Sequence, residues 1–414
     1  MRGRLAAGAA TACLTVLVCA ATPASAADSD QPIDSLSGSG LTPTASSHAG
    51  FVPAHRHDPA AARNHDGDPT FVPCGPNAGA NLQAAVTAAA SGDTLRLAQG
   101  CVYGIATPDP ASPDSALYVD KTLTILGNGA TIERSPSANS DFRVFRIDDP
   151  GNLTLRNATV RGGRATFPTT DGDGGGLEVN GSGAALTLEG TRVTGNVAYT
   201  GGGGIGNYGG TLKAFDSSLR ENTVSNGGAG LEQGEGSATF ERSQITHNTA
   251  DSSLFGYFAA GGGGIRMIGS GTATLLATPV TANHVLHSLT FGGGIENIYG
   301  TVRLDRSSVQ YNTADGDSAH GGGVSNLQTL EVRNSPLNNN TAAGASSGGF
   351  GGGLSNYGTA TFTRSPVNDN TASGPGAAGG GIYVFGGQVT TNGPVRNNTP
   401  DNCDPAGAVA GCTN

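Results

Sequence analysis

Hydrophobic residues recur along this chain in short segments that are separated by glycine and asparagine. Eight times, a glycine-rich segment (at least three glycines, or GAG before Leu231) is followed by one aliphatic residue, at Leu177, Ile205, Leu231, Ile265, Ile295, Val324, Leu354 and Ile382. The intervals between these residues are 28, 26, 34, 30, 29, 30 and 28. A period near 29 that tolerates insertions predicts a solenoid, in which each coil buries its apolar face against its neighbours.

Two further columns keep step with the glycine motif. Alternating apolar runs follow it, at residues 186–188, 211–215, 238–240, 273–275, 301–304, 330–332 and 360–362. A Val, Ile or Leu followed by two residues and an asparagine comes next; these asparagines are Asn196, Asn222, Asn248, Asn283, Asn312, Asn340, Asn370 and Asn398. Period-2 runs between Gly, Asn and Ser indicate strands rather than helices. The pattern predicts three short strands per coil.

Such coils wind into a single-stranded parallel β-helix, which is an all-β fold. We count roughly eleven coils, stacked about 4.8 Å apart. Inside it, the aliphatic residues form columns, and the asparagines form a ladder at one corner that bonds to the coils above and below. Although glycine makes up 68 of 414 residues, its regular position at one corner argues against a low-complexity chain.

The start of the repeat carries a resemblance to a known family. Residues 80–90 (ANLQAAVTAAA) have helical propensity, and SGDTLRL and GCVY follow them. This arrangement resembles the N-terminal cap of pectin-lyase-like right-handed β-helix proteins, which implies a right-handed helix over residues 71–414 with a short capping helix. Many proteins of that family cleave acidic polysaccharides. The glycine and V-x-x-N motifs also resemble the GGAI and FxxN repeats of polymorphic outer-membrane proteins, which are surface adhesins, although Val, Leu or Ile replaces Phe here.

The beginning of the chain reads as a targeting segment. Residues 1–26 combine Arg2 and Arg4, an apolar stretch and Ala24-Ser25-Ala26, the pattern of a cleaved secretory signal. Residues 27–70 are polar and lack periodicity, which is typical of a flexible leader. No later segment is long and apolar enough to predict a membrane span. We therefore expect a secreted, monomeric protein that is either released or associated with the cell surface.

Four cysteines remain after residue 26, and they lie near the two ends of the repeat. Of the three possible connectivities we favour the adjacent one, Cys74 with Cys101 and Cys403 with Cys412. Disulfides fit a secreted chain and would protect the terminal coils against fraying.

Charge and composition exclude one class of partner. Without residues 1–26 the chain keeps 20 basic and 32 acidic residues. Nucleic acid is therefore not an expected partner. Because the chain has no Trp, tyrosine and phenylalanine are left to pack on sugar rings.

Candidate catalytic residues lie next to the aliphatic column. Alternation places Glu232, Arg266 and Glu296 on the outer face of three successive coils, with the two carboxylates about 10 Å apart. Inverting glycosidases separate their carboxylates by about 6.5–9.5 Å. A polysaccharide lyase would instead use Arg266 as the base. The structural alternative is an exposed charge ladder that contributes little.

Insertions supply the candidate binding residues. They fall at one corner, at residues 164–173, 251–260, 284–291, 313–320 and 341–350, and should line up along one edge. This would bring together Phe255, Tyr257, Phe258, Phe291 and Phe350 as a ligand-binding edge. The alternative is that each loop covers its own apolar residues.

Two of these insertions also contain the sequence DGD. Asp171 with Asp173 and Asp315 with Asp317 are therefore candidate Ca²⁺ ligands. No other cofactor is indicated. These features together predict an adhesin-like scaffold that binds an extracellular glycan or another cell-envelope component. The alternative is a polysaccharide lyase or glycoside hydrolase that acts on acidic polysaccharide.

Overall fold

The computed structural model describes residues 68–254 and 256–414. They form a parallel β-solenoid with one short helix, as the glycine and asparagine periods predict. Three parallel sheets run along it: sheet A with 21 strands, sheet B with ten and sheet C with eleven. One strand of sheet C comes from each coil, which gives eleven coils. The expected signal peptide (1–26) and nearly all of the expected leader (27–70) lie outside the described residues.

The first part of the fold contains the helix and nine strands. In chain order these are β1 (Thr70–Val72), α1 (Ala78–Ala88), β2 (Thr94–Leu97), β3 (Val102–Ile105), β4 (Ser115–Val119), β5 (Thr122–Arg134), β6 (Arg143–Asp148), β7 (Asn152–Arg161), β8 (Arg164–Ala165) and β9 (Leu177–Asn180).

The regular coils follow. Their first half comprises β10 (Ala185–Glu189), β11 (Arg192–Thr194), β12 (Val197–Ala198), β13 (Ile205–Tyr208), β14 (Thr211–Phe215), β15 (Ser218–Arg220), β16 (Thr223–Val224), β17 (Leu231–Gln233), β18 (Ser237–Glu241), β19 (Gln244–Thr246), β20 (Thr249–Asp251), a 3-10 turn (Ser252–Leu254), β21 (Ala259–Gly261), β22 (Ile265–Met267), β23 (Thr272–Leu276), β24 (Val280–Thr281), β25 (His284–Leu286) and β26 (Leu289–Phe291). Their second half comprises β27 (Ile295–Asn297), β28 (Thr301–Asp305), β29 (Val309–Gln310), β30 (Thr313–His320), β31 (Val324–Asn326), β32 (Thr329–Arg333), β33 (Leu337–Asn338), β34 (Thr341–Phe350), β35 (Leu354–Asn356), β36 (Thr359–Thr363), β37 (Val367–Asn368), β38 (Thr371–Ser373), β39 (Ile382–Val384), β40 (Gln388–Thr391), β41 (Val395–Arg396) and β42 (Cys403–Asp404).

The glycine motif is explained by the corner that leads into sheet C. Gly351 has φ +70°, a conformation that suits a residue without a Cβ. A Cβ on Gly352 would lie 2.4 Å from the carbonyl oxygen of Gly380, and one on Gly353 would lie 2.7 Å from that of Gly381. The three glycines therefore serve different purposes. The first makes the turn, and the other two let the next coil approach. The aliphatic residue that follows them is fully buried in all eight coils.

The predicted asparagine ladder is confirmed. From Asn196 to Asn398, each side-chain Nδ2 donates to the Oδ1 of the asparagine one coil further on, at 3.0 Å. Each Oδ1 also accepts a backbone N–H of the preceding coil, as Asn312 does from Asn283 at 3.0 Å. This satisfies buried amides that would otherwise cost about 1–3 kcal/mol each.

Two more polar ladders run inside the solenoid, and neither was predicted from the sequence. In sheet C, Asn297 donates to Asn326 and Asn326 to Asn356, both at 2.8 Å. At the corner within sheet A, Ser and Thr hydroxyls accept backbone N–H groups at 2.9–3.1 Å from coil to coil. Both columns occupy fixed positions in the repeat and could have been predicted. The asparagines lie two residues after the aliphatic anchor. The Ser and Thr residues lie two residues before the Val, Ile or Leu of V-x-x-N.

Both ends of the solenoid are closed. At the N-terminal end, α1 buries Leu82 and Val86, and the Cys74–Cys101 disulfide joins the first coils. At the C-terminal end, Cys403 and Cys412 form the second disulfide. The adjacent pairing expected from the sequence is confirmed. Within the described part of the chain, no helix is long and apolar enough to cross a membrane.

Candidate functional site

The residue after each aliphatic anchor forms a column on the outside of sheet C. We call it the outer column. Backbone pairing aligns its members from coil to coil, in the order Tyr118, Arg146, Glu178, Gly206, Glu232, Arg266, Glu296, Ser325, Ser355, Tyr383 and Asp404. The column therefore takes one residue from each of eleven coils along the length of the molecule, and all of them except Gly206 carry a side chain.

The middle of the outer column is not exposed, which corrects the expectation of an open charge ladder. Glu232 and Glu296 are only 5% and 4% exposed. The chain entering each glycine corner lies over them, so that a Cβ on Gly201 would meet the Glu232 carboxylate at 2.2 Å and one on Gly261 would meet Glu296 at 1.9 Å. A polymer cannot contact these two carboxyls in this conformation, whereas the Arg266 side chain between them is 20% exposed.

Within this covered segment, Arg266 lies between the two glutamates. Its Nε is 2.8 Å from Glu296 Oε2, and its Nη1 is 3.9 Å from Glu232 Oε2. The Nε–H does not point at Oε2, so the contact with Glu296 is an ion pair rather than a directed hydrogen bond. Nη1 donates instead to Asn226 Oδ1 at 3.1 Å.

Burial determines the protonation of these carboxyls. It raises the pKa of Glu232 to about 8, against the opposing attraction of Arg266. It also raises the pKa of Glu296. For Arg266, burial lowers the pKa of the guanidinium. The nearby Glu296 and Glu232 carboxylates raise it by more, so the pKa is raised overall. Glu232 is thus largely protonated at neutral pH, and its Oε1 accepts a hydrogen bond from the Tyr208 hydroxyl at 3.4 Å.

A second charged cluster lies at the N-terminal end of the outer column. Arg143 is fully buried and contacts Asp114, Asp171 and Glu178, the last at 2.8 Å. Arg146 is 2.8 Å from Asp114 and 3.0 Å from Asp148. The cluster opens to solvent in a shallow depression of about 400 Å³, lined among others by Tyr118, Thr169 and Thr170.

The predicted Ca²⁺ ligands do not form one site. Asp171 contacts Arg143, and Asp173 accepts the Thr200 hydroxyl. Asp315 and Asp317 lie on a different coil, in β30, where Asp317 Oδ1 accepts the Ser346 hydroxyl at 3.3 Å.

Three carboxylates do come close enough for a cation. Oxygens of Asp114, Asp171 and Glu178 lie within 4.8 Å of one another. However, the Arg143 guanidinium already contacts all three. Since it supplies the positive charge that a metal ion would bring, we assign no metal here.

At the C-terminal end of the outer column lies a group of rings that we call the aromatic patch. It consists of Phe291, His320, Phe350, Tyr357, Tyr383 and Phe385. His320 stacks between Phe291 and Phe350, with centroid distances of 5.2 and 5.3 Å. Phe350 contacts Tyr383 at 5.1 Å, and Phe385 stacks on Tyr357 at 4.4 Å with an interplanar angle of 6°. Phe385 is 42% exposed, and the other five rings are buried or half-buried.

The chemistry of the patch is apolar with a polar rim. Burial lowers the pKa of His320 to about 4, so the imidazole is neutral at physiological pH. Its Nε2 lies 3.2 Å from the Ser318 hydroxyl. Burial also raises the pKa of Tyr383, which keeps its hydroxyl protonated.

The structure unites only part of the aromatic edge expected from the insertions. Phe291 and Phe350 do meet, through His320. Tyr257 packs instead edge-on against Tyr199 at 5.3 Å, and Tyr199 contacts Phe167 at 4.8 Å. The Phe258 side chain is 78% exposed. Phe255 lies outside the described residues.

Four patch residues, His320, Tyr357, Tyr383 and Phe385, were not predicted as binding residues from the sequence. His320 occupies the position directly before the glycine motif, which is also that of Phe291 and Phe350, and these residues pair in sheet B. This shared position in the repeat could have predicted that His320 lies between the two phenylalanines. Tyr357 and Phe385 follow strands of sheet C and have no comparable motif.

Comparison of the chain with protein-family profiles, with curated proteins and with solved structures gives no match. Fold and side-chain geometry therefore carry the functional argument.

Proposed function

We propose that this protein is a secreted scaffold that binds an extracellular glycan or another cell-envelope component through the aromatic patch. The observation that carries the proposal is the continuous contact of six rings at one end of the outer column, with Phe385 open to solvent. Aromatic residues are enriched at interaction sites, because each ring offers a large apolar area and tyrosine adds a hydroxyl.

Sugar rings suit such a surface. The C–H face of a pyranose packs on an aromatic ring, while its hydroxyls need polar partners at the rim. Tyr357 and Tyr383 provide both a ring and a hydroxyl. The resemblance to pectin-lyase-like proteins supports a polysaccharide as the ligand class.

Secretion is part of the proposal. Residues 1–26 have the pattern of a signal peptide. The two disulfides, Cys74–Cys101 and Cys403–Cys412, are stable in an oxidising compartment.

The proposal is tested by retention of the protein on immobilised polysaccharides. The probes are neutral polymers (cellulose, xylan and chitin) and acidic ones (polygalacturonate and alginate). We expect wild type to be retained on at least one of them. We expect Phe385→Ala combined with Tyr357→Ala to weaken its affinity about tenfold, because each aromatic contact contributes about 0.5–1.5 kcal/mol.

Tyr311→Ala is the matched control, because Tyr311 is 62% exposed and lies on another corner of the solenoid. It should leave retention unchanged. Phe258→Ala shows in the same series whether that exposed ring contributes. The proposal fails if wild type is retained on none of the polymers, or if the control loses as much affinity as the double variant.

Polysaccharide cleavage is a second candidate function. The feature that favours it is the Glu232 carboxyl, whose pKa is raised to about 8 by burial, beside the Arg266–Glu296 ion pair, an arrangement suited to acid–base work. Its burial opposes this function. Reducing-end release and ultraviolet absorbance, recorded on the same polymers, distinguish the two. Products formed by wild type and lost in Glu232→Gln or Arg266→Ala would establish an enzyme.

A further inference from the structure

A second feature lies on sheet A, away from the outer column. Arg306, Arg333 and Arg364 come from three consecutive coils, and we call them the arginine ridge. Asp305, Arg333 and Thr363 align across β28, β32 and β36, and Arg306 and Arg364 directly follow Asp305 and Thr363. The backbone N–H of Arg306 donates to the carbonyl of Arg333 at 3.1 Å. The ridge thus presents one guanidinium per coil, and all three residues are exposed.

These arginines differ from most others on the surface. Arg156, Arg220 and Arg242 each contact a carboxylate, as Arg242 does with Asp216 at 3.0 Å. Within the described chain, Arg333 and Arg364 have no ion pair. Arg306 has only a long contact of 3.8 Å, to Asp305.

The acidic residues near the ridge are already engaged. Glu331 pairs with Arg303 at 3.0 Å. Asp305 accepts the Asn334 amide at 3.2 Å in addition to its contact with Arg306. Positive charge is therefore left uncompensated on a chain whose formal net charge is −10. A local excess of one sign on a protein of the other sign attracts oppositely charged ligands.

We infer that the arginine ridge is a binding surface for an anionic polymer. Its arginines come one from each of three coils that are stacked about 4.8 Å apart, with Arg333 one residue earlier in the register than Arg306 and Arg364. Duplex DNA carries one negative charge per about 1.7 Å of its axis. The ridge therefore complements a sparsely charged linear polymer, with one carboxylate per repeat unit, better than it complements nucleic acid or the densely charged polyphosphate.

The same face of sheet A also suits a hydroxyl-rich polymer. At the opposite end of the same three strands from the ridge, Thr301, Thr329 and Thr359 align on the outer face. Their hydroxyls can donate to and accept from sugar hydroxyls. The inference does not depend on the aromatic patch, since the ridge lies on sheet A and the patch on sheets B and C.

The test measures the affinity of the full chain for soluble polyanions over a salt series. The probes are polygalacturonate, which offers carboxylates, linear polyphosphate, and short duplex DNA. The ridge variant is Arg306→Gln, Arg333→Gln and Arg364→Gln. The control variant is Arg156→Gln, Arg220→Gln and Arg242→Gln. It removes the same charge and includes Arg242, which has the same left-handed corner conformation as Arg306 (φ +48° and +51°).

We expect wild type to bind polygalacturonate at low salt, and to bind it more tightly than linear polyphosphate, whose charges are more closely spaced. The ridge variant should bind about tenfold more weakly, since three exposed charge contacts contribute about 0.2–1 kcal/mol each. Its affinity should also depend less on salt. The control variant should stay within about twofold of wild type.

Three results would overturn the inference. They are an absence of wild-type binding to polygalacturonate, an equal loss in the control variant, and tighter binding of polyphosphate or duplex DNA than of polygalacturonate. Melting temperatures of both variants verify that they are folded. The Phe385→Ala and Tyr357→Ala double variant should keep its polyanion affinity, which separates this inference from the proposed glycan site.

Discussion

At the scale of single residues, burial rather than sequence neighbourhood determines the chemistry of the outer column. Glu232 and Glu296 have the outward position that alternation predicts, yet both are covered by the chain entering the glycine corners. Removing a carboxyl from water favours its neutral form. One arginine between the two glutamates does not offset this for Glu232, whose pKa remains raised to about 8.

This raised pKa predicts how stability depends on pH. Between the usual value of 4.5 and about 8, folded Glu232 holds a proton that the unfolded chain releases. The free energy of unfolding should therefore be highest at low pH in this window and fall as the pH rises. Denaturant titrations from about pH 5 to pH 9 should show this fall, and Glu232→Gln should reduce its slope by about one proton.

The difference between the variant and wild type should be largest above about pH 7. Burial also raises the pKa of Glu178 to about 7 and that of Asp173 to about 6. At lower pH, these two groups therefore still make the free energy of unfolding of the variant depend on pH. Glu189→Gln is the control, because Glu189 is exposed and contacts Arg156 at 2.8 Å. An identical pH profile in wild type and Glu232→Gln would contradict the assignment of a protonated Glu232.

The same residues show how much of the site could be predicted from the sequence. Period-2 alternation places Glu232, Arg266 and Glu296 in one column, and backbone pairing confirms this alignment. It does not predict their burial, because that depends on the path of irregular segments such as the one carrying Asn226. The Arg143 cluster combines residues from three separate coils, and no local sequence pattern predicts that they meet.

At the scale of the coil, the glycine motif permits neighbouring coils to stack closely at the corner that leads into sheet C. Gly352 has ordinary backbone geometry, but its missing Cβ leaves room for the carbonyls of Gly380 and Thr371, at 2.4 and 2.5 Å from the Cβ position. Backbone atoms cannot move aside as a flexible side chain can. The second glycine is therefore required by packing rather than by φ.

Gly352→Ala should consequently destabilise the protein by about 1–3 kcal/mol, the usual cost of overpacking. Gly386→Ala is the matched control, since a Cβ there meets no atom within 4 Å and its φ is not in the left-handed region. The measurement is the free energy of unfolding from denaturant titration. Equal stability of the two variants would show that the coils can separate at this corner without cost.

The coil is also the scale at which the sequence is most informative. Position within the period predicts the glycine corner, the aliphatic column and the Asn196–Asn398 ladder, because a stacked coil repeats the same environment. The Asn297–Asn326–Asn356 column repeats over three successive coils and was overlooked. The insertions repeat least, so the prediction of one continuous aromatic edge was only partly right.

At the scale of the whole molecule, each coil contacts only its neighbours, so stability should be a sum of local terms. The end coils lack one neighbour and depend on their caps. At the C-terminal end, Asn398 Nδ2 donates to Asn402 Oδ1 at 3.0 Å, which ends the asparagine ladder. Asn414 Oδ1 then accepts the backbone N–H groups of Asn402 and Cys403 at 3.0 and 2.9 Å. The Cys403–Cys412 disulfide holds this closing segment in place.

Replacing Cys403 and Cys412 by Ser should therefore open the last coil without unfolding the middle. The disulfide closes a loop with a sequence separation of 9, and such a loop contributes about 2–3 kcal/mol. Hydrogen exchange should accelerate in β40, β41 and β42 and stay unchanged in β14 and β18. The double variant of Cys74 and Cys101 should instead affect β1, β2 and β3. If either variant accelerated exchange along the whole solenoid, the coils would unfold as one cooperative unit, and local caps could not account for the stability of the two ends.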